Sequence, residues 1–264
     1  MSEPINPLRR VWAEGRVAVN GWIASPSIIT AEAMGAARWD ALTVDLQHGT
    51  ADYASLLTLL PVIQSSGATP LVRVPWLDEG IVMRVLDAGA MGVIAPMIET
   101  PEDAARLVSA CKYPPDGGRS FGPIRARFAW GNDYPSFANE EVLPLAMIET
   151  KKGVEALEEI VSVPGLAGVY IGPSDLSLSH GYAAAFDRKE PEILEVIFKI
   201  LEAATGAGIR CCLHCGTPEY AAGMADKGFA MFTIGSDARF VEAGAKATVT
   251  TFRSLAEVRS GDPA

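Results

Sequence analysis

The chain has 264 residues, 49% of them hydrophobic and 20% charged, with a net charge of −10. That length can bury one large core or two small ones, and the acidity speaks against a nucleic-acid partner because phosphate backbones are repelled. No apolar run approaches the ~20 residues of a membrane helix, and residues 1–10 lack the apolar stretch of a signal peptide.

Apolar runs of strand length alternate with helical periodicity along the whole chain. Strands are predicted over 17–24, 41–46, 70–74, 92–98, 145–148, 168–171, 210–213 and 230–234. Helices are predicted over 27–37, 52–65, 79–88, 101–111, 152–161, 191–207, 218–227 and 237–258. Ser27, Thr100 and Thr217 stand where helices need an N-cap, the latter two just before a proline. Gly67, Gly89, Gly206 and Gly228 stand where helices stop. Eight strand–helix units fit a (β/α)8 barrel in a single domain over 1–264, with the barrel core at 17–236 and a long terminal helix at 237–258. An open doubly wound sheet is the alternative, and the lack of a G-x-G-x-x-G turn after the first strand weakens it.

The segment 113–142 breaks the rhythm, with two Pro/Gly-rich turns, three arginines and six aromatic residues. Connections of that length are usually functional or form an interface. Of the four cysteines, Cys211, Cys212 and Cys215 crowd one apolar run, where mutual disulfides are awkward. The chain therefore reads as a reduced, cytoplasmic protein.

In such a barrel the active site lies at the C-terminal rim of the strands. Candidate residues are those standing where each apolar run stops: Asp45 to His48, Arg73, Glu99, Glu149, Ser174 and Asp175, His214 and Cys215. Glu149 and Asp175 follow consecutive strands, so two carboxylates meet at one stretch of rim. Hard oxygens so placed suit a divalent cation. Taken singly, each has a bland reading: Asp175 as a turn cap, Glu149 and Glu99 as first-turn acids, Arg73 as a structural ion-pair partner, His48 as a structural histidine. His214 and Cys215 suggest zinc, but neighbours on a strand face opposite ways and no second cysteine pair completes a site. All seven lysines fall on helix or loop positions, which argues against Schiff-base chemistry.

Taken together the rim is far more specific. The runs 44–49 (VDLQHG), 72–76 (VRVPW), 147–150 (MIET) and 171–176 (IGPSDL), with 86–90 (LDAGA) and 112–119 (KYPPDGGR), resemble the HpcH/HpaI family of class II pyruvate aldolases over about 21–236. The resemblance implies a (β/α)8 barrel that assembles as a homo-oligomer built from dimers, up to a hexamer, with the last helix exchanged between partner barrels. It implies cleavage of 4-hydroxy-2-oxo acids, or their formation from pyruvate or hydroxypyruvate and an aldehyde. Glu149 and Asp175 are implied as ligands of a divalent metal ion, Mg²⁺ or Mn²⁺ before Co²⁺ or Zn²⁺. Arg73 is implied to hold the 2-oxo acid, His48 to transfer the proton through a metal-bound water, and Asp45 to orient that network. Asp87 is implied in the same network, across a subunit boundary. Gly172, Pro173 and Ser174 would receive the substrate carboxylate, and His214 would stand near its far end. Met147 and Gln47 depart from the family's usual glutamine and glutamate. A related lyase of CoA thioesters, or a non-catalytic barrel binding metal and 2-oxo acid, are the alternatives.

Overall fold

The computed structural model describes residues 5–260; residues 1–4, part of the region read above for a signal peptide, and 261–264 at the end of the expected domain lie outside it. Eight parallel strands close a barrel in chain order. They are β1 (Ala18–Ile23), β2 (Ala41–Asp45), β3 (Thr69–Arg73), β4 (Gly92–Ala95), β5 (Leu143–Ile148), β6 (Gly168–Ile171), β7 (Arg210–Cys215) and β8 (Met231–Ser236). Neighbouring strands run parallel because a helix returns the chain over the outside between them.

The pleat divides the apolar side chains into two sets. Val72, Val93, Ala146, Val169 and Leu213 pack outward under the helices. Leu71, Ile94, Leu145, Tyr170, Cys212 and Met231 fill the barrel, and Leu8, Val11 and Trp12 of the helix Pro7–Ala13 join them. That helix was not foreseen. It is capped by Asn6, whose side chain accepts the Leu8 N–H, and Trp12 donates to the Ala230 carbonyl.

Ser27, Thr100 and Thr217 each accept the N–H three residues on, as N-caps do. Several expectations need correction. The fourth strand stops at Ala95 rather than 98, because Met97 takes a left-handed φ of 55° and turns the chain. The helix expected over 152–161 breaks at Ala156 into Lys151–Glu155 and Leu157–Val161. Gly206 lies inside its helix, and Gly208, at φ 74°, makes the left-handed exit.

The segment 113–142 carries two helices, Ile124–Trp130 and Tyr134–Glu141, and docks onto the end of the helix Glu79–Asp87. Arg119, with a fully buried side chain, donates to Asp87 at 2.7 Å and to the Tyr134 hydroxyl at 3.0 Å. Trp130 donates to the Gly89 carbonyl, and Arg125 to that of Ala88. Among the described residues no helix is long and apolar enough to cross a membrane.

Candidate active site

The inward rows that fill the barrel change from apolar to polar at the C-terminal rim. On β3, Leu71 packs inside and Arg73 is the next inward residue; on β7, Cys212 is followed by His214. On β5 the inward row is Leu145, Met147 and then Glu149, one residue past the strand. Trp22 and Asp45 end the rows of β1 and β2 in the same way. These residues meet because the pleat has a period of two and the strands are parallel. With His48, Gly172, Asp175, Phe186 and Arg239 they line or back a cavity of about 300 Å³.

Asp45 organises one wall. Its carboxylate is 3% exposed and accepts Arg73 Nε at 2.9 Å and Nη2 at 2.6 Å. It also accepts the Trp22 indole at 3.2 Å and the N–H groups of Gln47 at 3.0 Å and His48 at 3.3 Å. Burial alone would push this acid up, but the Arg73 hydrogen bonds and charge, with the Gln47 and Trp22 donors, outweigh it and hold Asp45 below the usual carboxylate range. Arg73 also lies over the Trp22 ring at 4.9 Å, so the guanidinium is fixed from two directions. Asp45 thus holds the His48 backbone and the Arg73 side chain.

Glu149 and Asp175 come from different elements. The sequence reading put both at strand ends, but β6 stops at Ile171 and Asp175 sits in the first turn of the helix Pro173–Ser179. Glu149 is 1% exposed, behind the cavity wall, and its Oε1 accepts the Met97 N–H at 2.8 Å. Gly172 covers it: a Cβ added there would lie 2.5 Å from Glu149 Oε2. Burial above all, reinforced by Asp175 and opposed by the Met97 N–H and Arg73, pushes Glu149 up to about 7. This buried acid, repelled by a second carboxylate and bonded at one oxygen, fits a hard divalent cation. Among the described residues no cluster of three or more His, Cys, Asp and Glu forms, so substrate and water would supply the remaining oxygen ligands.

A pH dependence follows. Below about pH 7 Glu149 holds a proton that a cation must displace. Mn²⁺ affinity measured by calorimetry is expected to fall about tenfold per pH unit below that value; constant affinity between pH 5 and 7 would contradict the assignment. For the metal-free chain the sign is the reverse of the common acid case. The folded state binds a proton that the unfolded chain releases above its ordinary value of 4.5, so this group's contribution to stability falls as pH rises from there to about 7.

His48 is exposed where it lines the cavity, and Pro173 and Ser174 line it too. His214 also lines the cavity. Its ring stacks on Phe186 at 4.7 Å and meets the Trp22 edge at 5.0 Å. Burial, with Arg73 and Arg239, depresses this imidazole to about 3, so it is neutral. Met147 lines the cavity, whereas Gln47 has its Oε1 buried without a partner. Asp87 is not in the cavity of its own barrel and is spent on Arg119; Glu99 faces Lys152 at 3.0 Å, away from the site. Cys215 packs among the outward set, though it also borders the cavity that His214 lines.

Sequence reading missed Trp22, Met97, Phe186 and Arg239. The pleat alternation of the first strand could have placed Trp22 inward. Met97 acts through its backbone, and Phe186 and Arg239 belong to a loop and to the last helix, where no periodicity points to the cavity. Arg239 lies over the Phe186 ring at 4.6 Å.

The HpcH/HpaI aldolase/citrate lyase family pattern matches residues 20–243. A hydroxypyruvate/pyruvate aldolase of Rhizorhabdus wittichii is 39% identical over 251 residues, covering 95% of this chain and 100% of that one. A 4-hydroxy-2-oxovalerate aldolase of Rhodococcus jostii is 36% identical over 212 residues, covering 79% and 81%. Among solved structures, an HpcH/HpaI aldolase/citrate lyase family protein from Burkholderia cenocepacia superposes with a TM-score of 0.86 at 28% identity, covering 94% of this chain and 99% of that one.

Proposed function

The chain belongs to the HpcH/HpaI aldolase/citrate lyase family, and from that premise we propose how it works as an aldolase that makes or breaks the C3–C4 bond of 4-hydroxy-2-oxo acids. The relatives named hydroxypyruvate/pyruvate aldolase support pyruvate or hydroxypyruvate as donor and an aldehyde as acceptor. The observation that carries the assignment is the convergence of Arg73, His48, Asp175 and the buried Glu149 on one rim cavity.

Glu149 and Asp175 would hold a divalent ion, Mg²⁺ or Mn²⁺. Such an ion, when bound, is a Lewis acid that stabilises the negative charge developing on the C2 oxygen by several kcal/mol. Arg73, aimed by Asp45, binds the carboxylate and oxo end of the substrate. In the Gly172-Pro173-Ser174 turn Pro173 has no N–H and Gly172 donates to the Ile148 carbonyl, so the Ser174 N–H in the first helical turn would serve the same carboxylate. His48 moves the proton: from the C4 hydroxyl in cleavage, from C3 of the donor in addition. Asp87, bonded to Arg119 through Oδ1 and still 21% exposed, would reach a neighbouring barrel's site across a subunit boundary. Val241, Val249, Phe252 and Leu255 on the helix Asp237–Ser260 are exposed apolar residues, which supports its exchange between barrels in a homo-oligomer. The four buried, free cysteines accord with a reducing, cytoplasmic setting.

The test is enolisation. With Mg²⁺ or Mn²⁺ in D₂O, the methyl protons of pyruvate are expected to exchange, and a chelator to stop the exchange. Glu149→Gln and Asp175→Asn are expected to lower cation affinity about 10–100-fold, at least the effect of losing an outer-shell partner, with exchange falling in step. Full exchange in chelator refutes the assignment.

A further inference from the structure

A hydrogen-bonded column runs up the barrel axis beneath the cavity: Asn20, Thr43, Thr233, Tyr170 and His214. Asn20 is satisfied only with its NH₂ toward the carbonyls of Ala41 at 3.0 Å and Gly21 at 3.2 Å. Its Oδ1 then accepts the Thr233 hydroxyl at 2.8 Å. A hydroxyl has one proton. Thr233 has spent its proton on Asn20, so at its 2.6 Å contact with Tyr170 it can only accept. Tyr170 has then spent its own proton on Thr233, and at its 3.0 Å contact with His214 Nδ1 it too can only accept. The imidazole must therefore carry its proton on Nδ1.

We infer that the column locks His214 as the Nδ1–H tautomer, so that Nε2 is a fixed hydrogen-bond acceptor for a substrate hydroxyl. Among the described residues Nε2 bonds no protein group, and it is not among the buried polar atoms sealed off without a partner; the cavity that His214 lines is its opening. Phe186 stacks on one face of the ring and the Trp22 edge abuts it, so the acceptor cannot swing away. An acceptor without a proton binds O–H groups and repels carbonyl and carboxylate oxygens. Arg73 and His214 both contact Trp22, so a chain anchored at Arg73 by its 2-oxo acid end extends toward His214. On the aldolase reading above, which this inference rests on, the preferred aldehydes carry a hydroxyl beside the reacting carbon, as glycolaldehyde and glyceraldehyde do. Those lacking it, such as acetaldehyde and propionaldehyde, are disfavoured.

Two measurements test this on the full-length protein. In ¹⁵N-labelled protein, with the His214 signals assigned by their loss in His214→Gln, Nδ1 is expected to show a pyrrole-type shift and Nε2 a pyridine-type one. A pyrrole-type Nε2 overturns the inference. Tyr170→Phe removes the acceptor that holds the tautomer, and both nitrogens are then expected to move toward intermediate shifts; an unchanged spectrum overturns the role of the column. Next, a 4-hydroxy-2-oxo acid carrying a further hydroxyl at C5 is expected to displace the Nε2 signal, and the same acid lacking that hydroxyl to leave it in place. Equal displacement by both overturns the inference. This readout needs binding but no turnover, so it stands apart from the enolisation test. In turnover, kcat/KM for glycolaldehyde is expected to exceed that for acetaldehyde about tenfold, the worth of one good hydrogen bond, and His214→Gln to narrow that ratio; an unchanged ratio in the variant counts against the assignment.

Discussion

Replacing His48 by alanine is expected to lower kcat about 10²–10⁴-fold, the usual contribution of a placed general acid–base, while cation affinity stays at the wild-type value. His48 lines the cavity beside Asp45 and Arg73, three residues past the end of β2. Its backbone N–H donates to Asp45 Oδ1, as does that of Gln47, and these two bonds set the turn that brings the imidazole to the rim. The side chain is then free to serve the substrate. Glu149 and Asp175 belong to other elements, so deleting the imidazole should leave the proposed cation seat untouched. The measurement pairs steady-state turnover with a Mn²⁺ titration of the same preparation. A variant that loses the cation along with activity would show that His48 is a ligand or a structural prop instead.

Asp45→Ala is expected to be the more damaging change for the fold. One carboxylate serves five donors: two from Arg73, one from Trp22 and the backbone N–H groups of Gln47 and His48. Both ion-pair partners are almost fully buried, their side chains 10% and 4% exposed. Removing one partner of such a pair strands a charge in low dielectric and costs about 3–5 kcal/mol. The urea midpoint should fall by that equivalent with the slope unchanged, and turnover should fall because Arg73 is no longer aimed. Asp45→Asn keeps the shape and part of the acceptor capacity, so it should lose less stability than alanine. If both variants unfold at the wild-type midpoint, the pair is not what holds the rim. Because the folded state holds Asp45 below the usual carboxylate range, its contribution is present at neutral pH and is lost as pH falls through the acid range.

The two acids proposed to seat the cation illustrate how far strand-end reading carries. Glu149 was found because the β5 run ends just before it, and its inward aim follows from counting back through Met147 and Leu145. Asp175 reads as a strand-end residue in the sequence but lies on a helix. The apolar run of β6 stops at Ile171, and Pro173 starts a helix whose first turn carries the acid. Proline is at home in that first turn, where its missing N–H is not needed, and the signal was present in the letters. Met97 shows the opposite case. Nothing in a run of apolar residues announces a left-handed residue whose N–H is aimed at Glu149 Oε1.

The chain by itself determined the eight-fold alternation of strand and helix, the closed barrel it implies and the rim positions of Asp45, His48, Arg73, Glu149 and His214. These follow from period-two and period-3.6 patterning, which is local and survives in one dimension. Only the tertiary structure decided that Asp45 grips Arg73, that Asp87 is occupied by Arg119, that Glu149 is buried enough to hold its proton to about pH 7 and that His214 is committed to one tautomer. Each of those depends on which groups surround a side chain and how much water they exclude, and such neighbours are brought together only when the barrel closes.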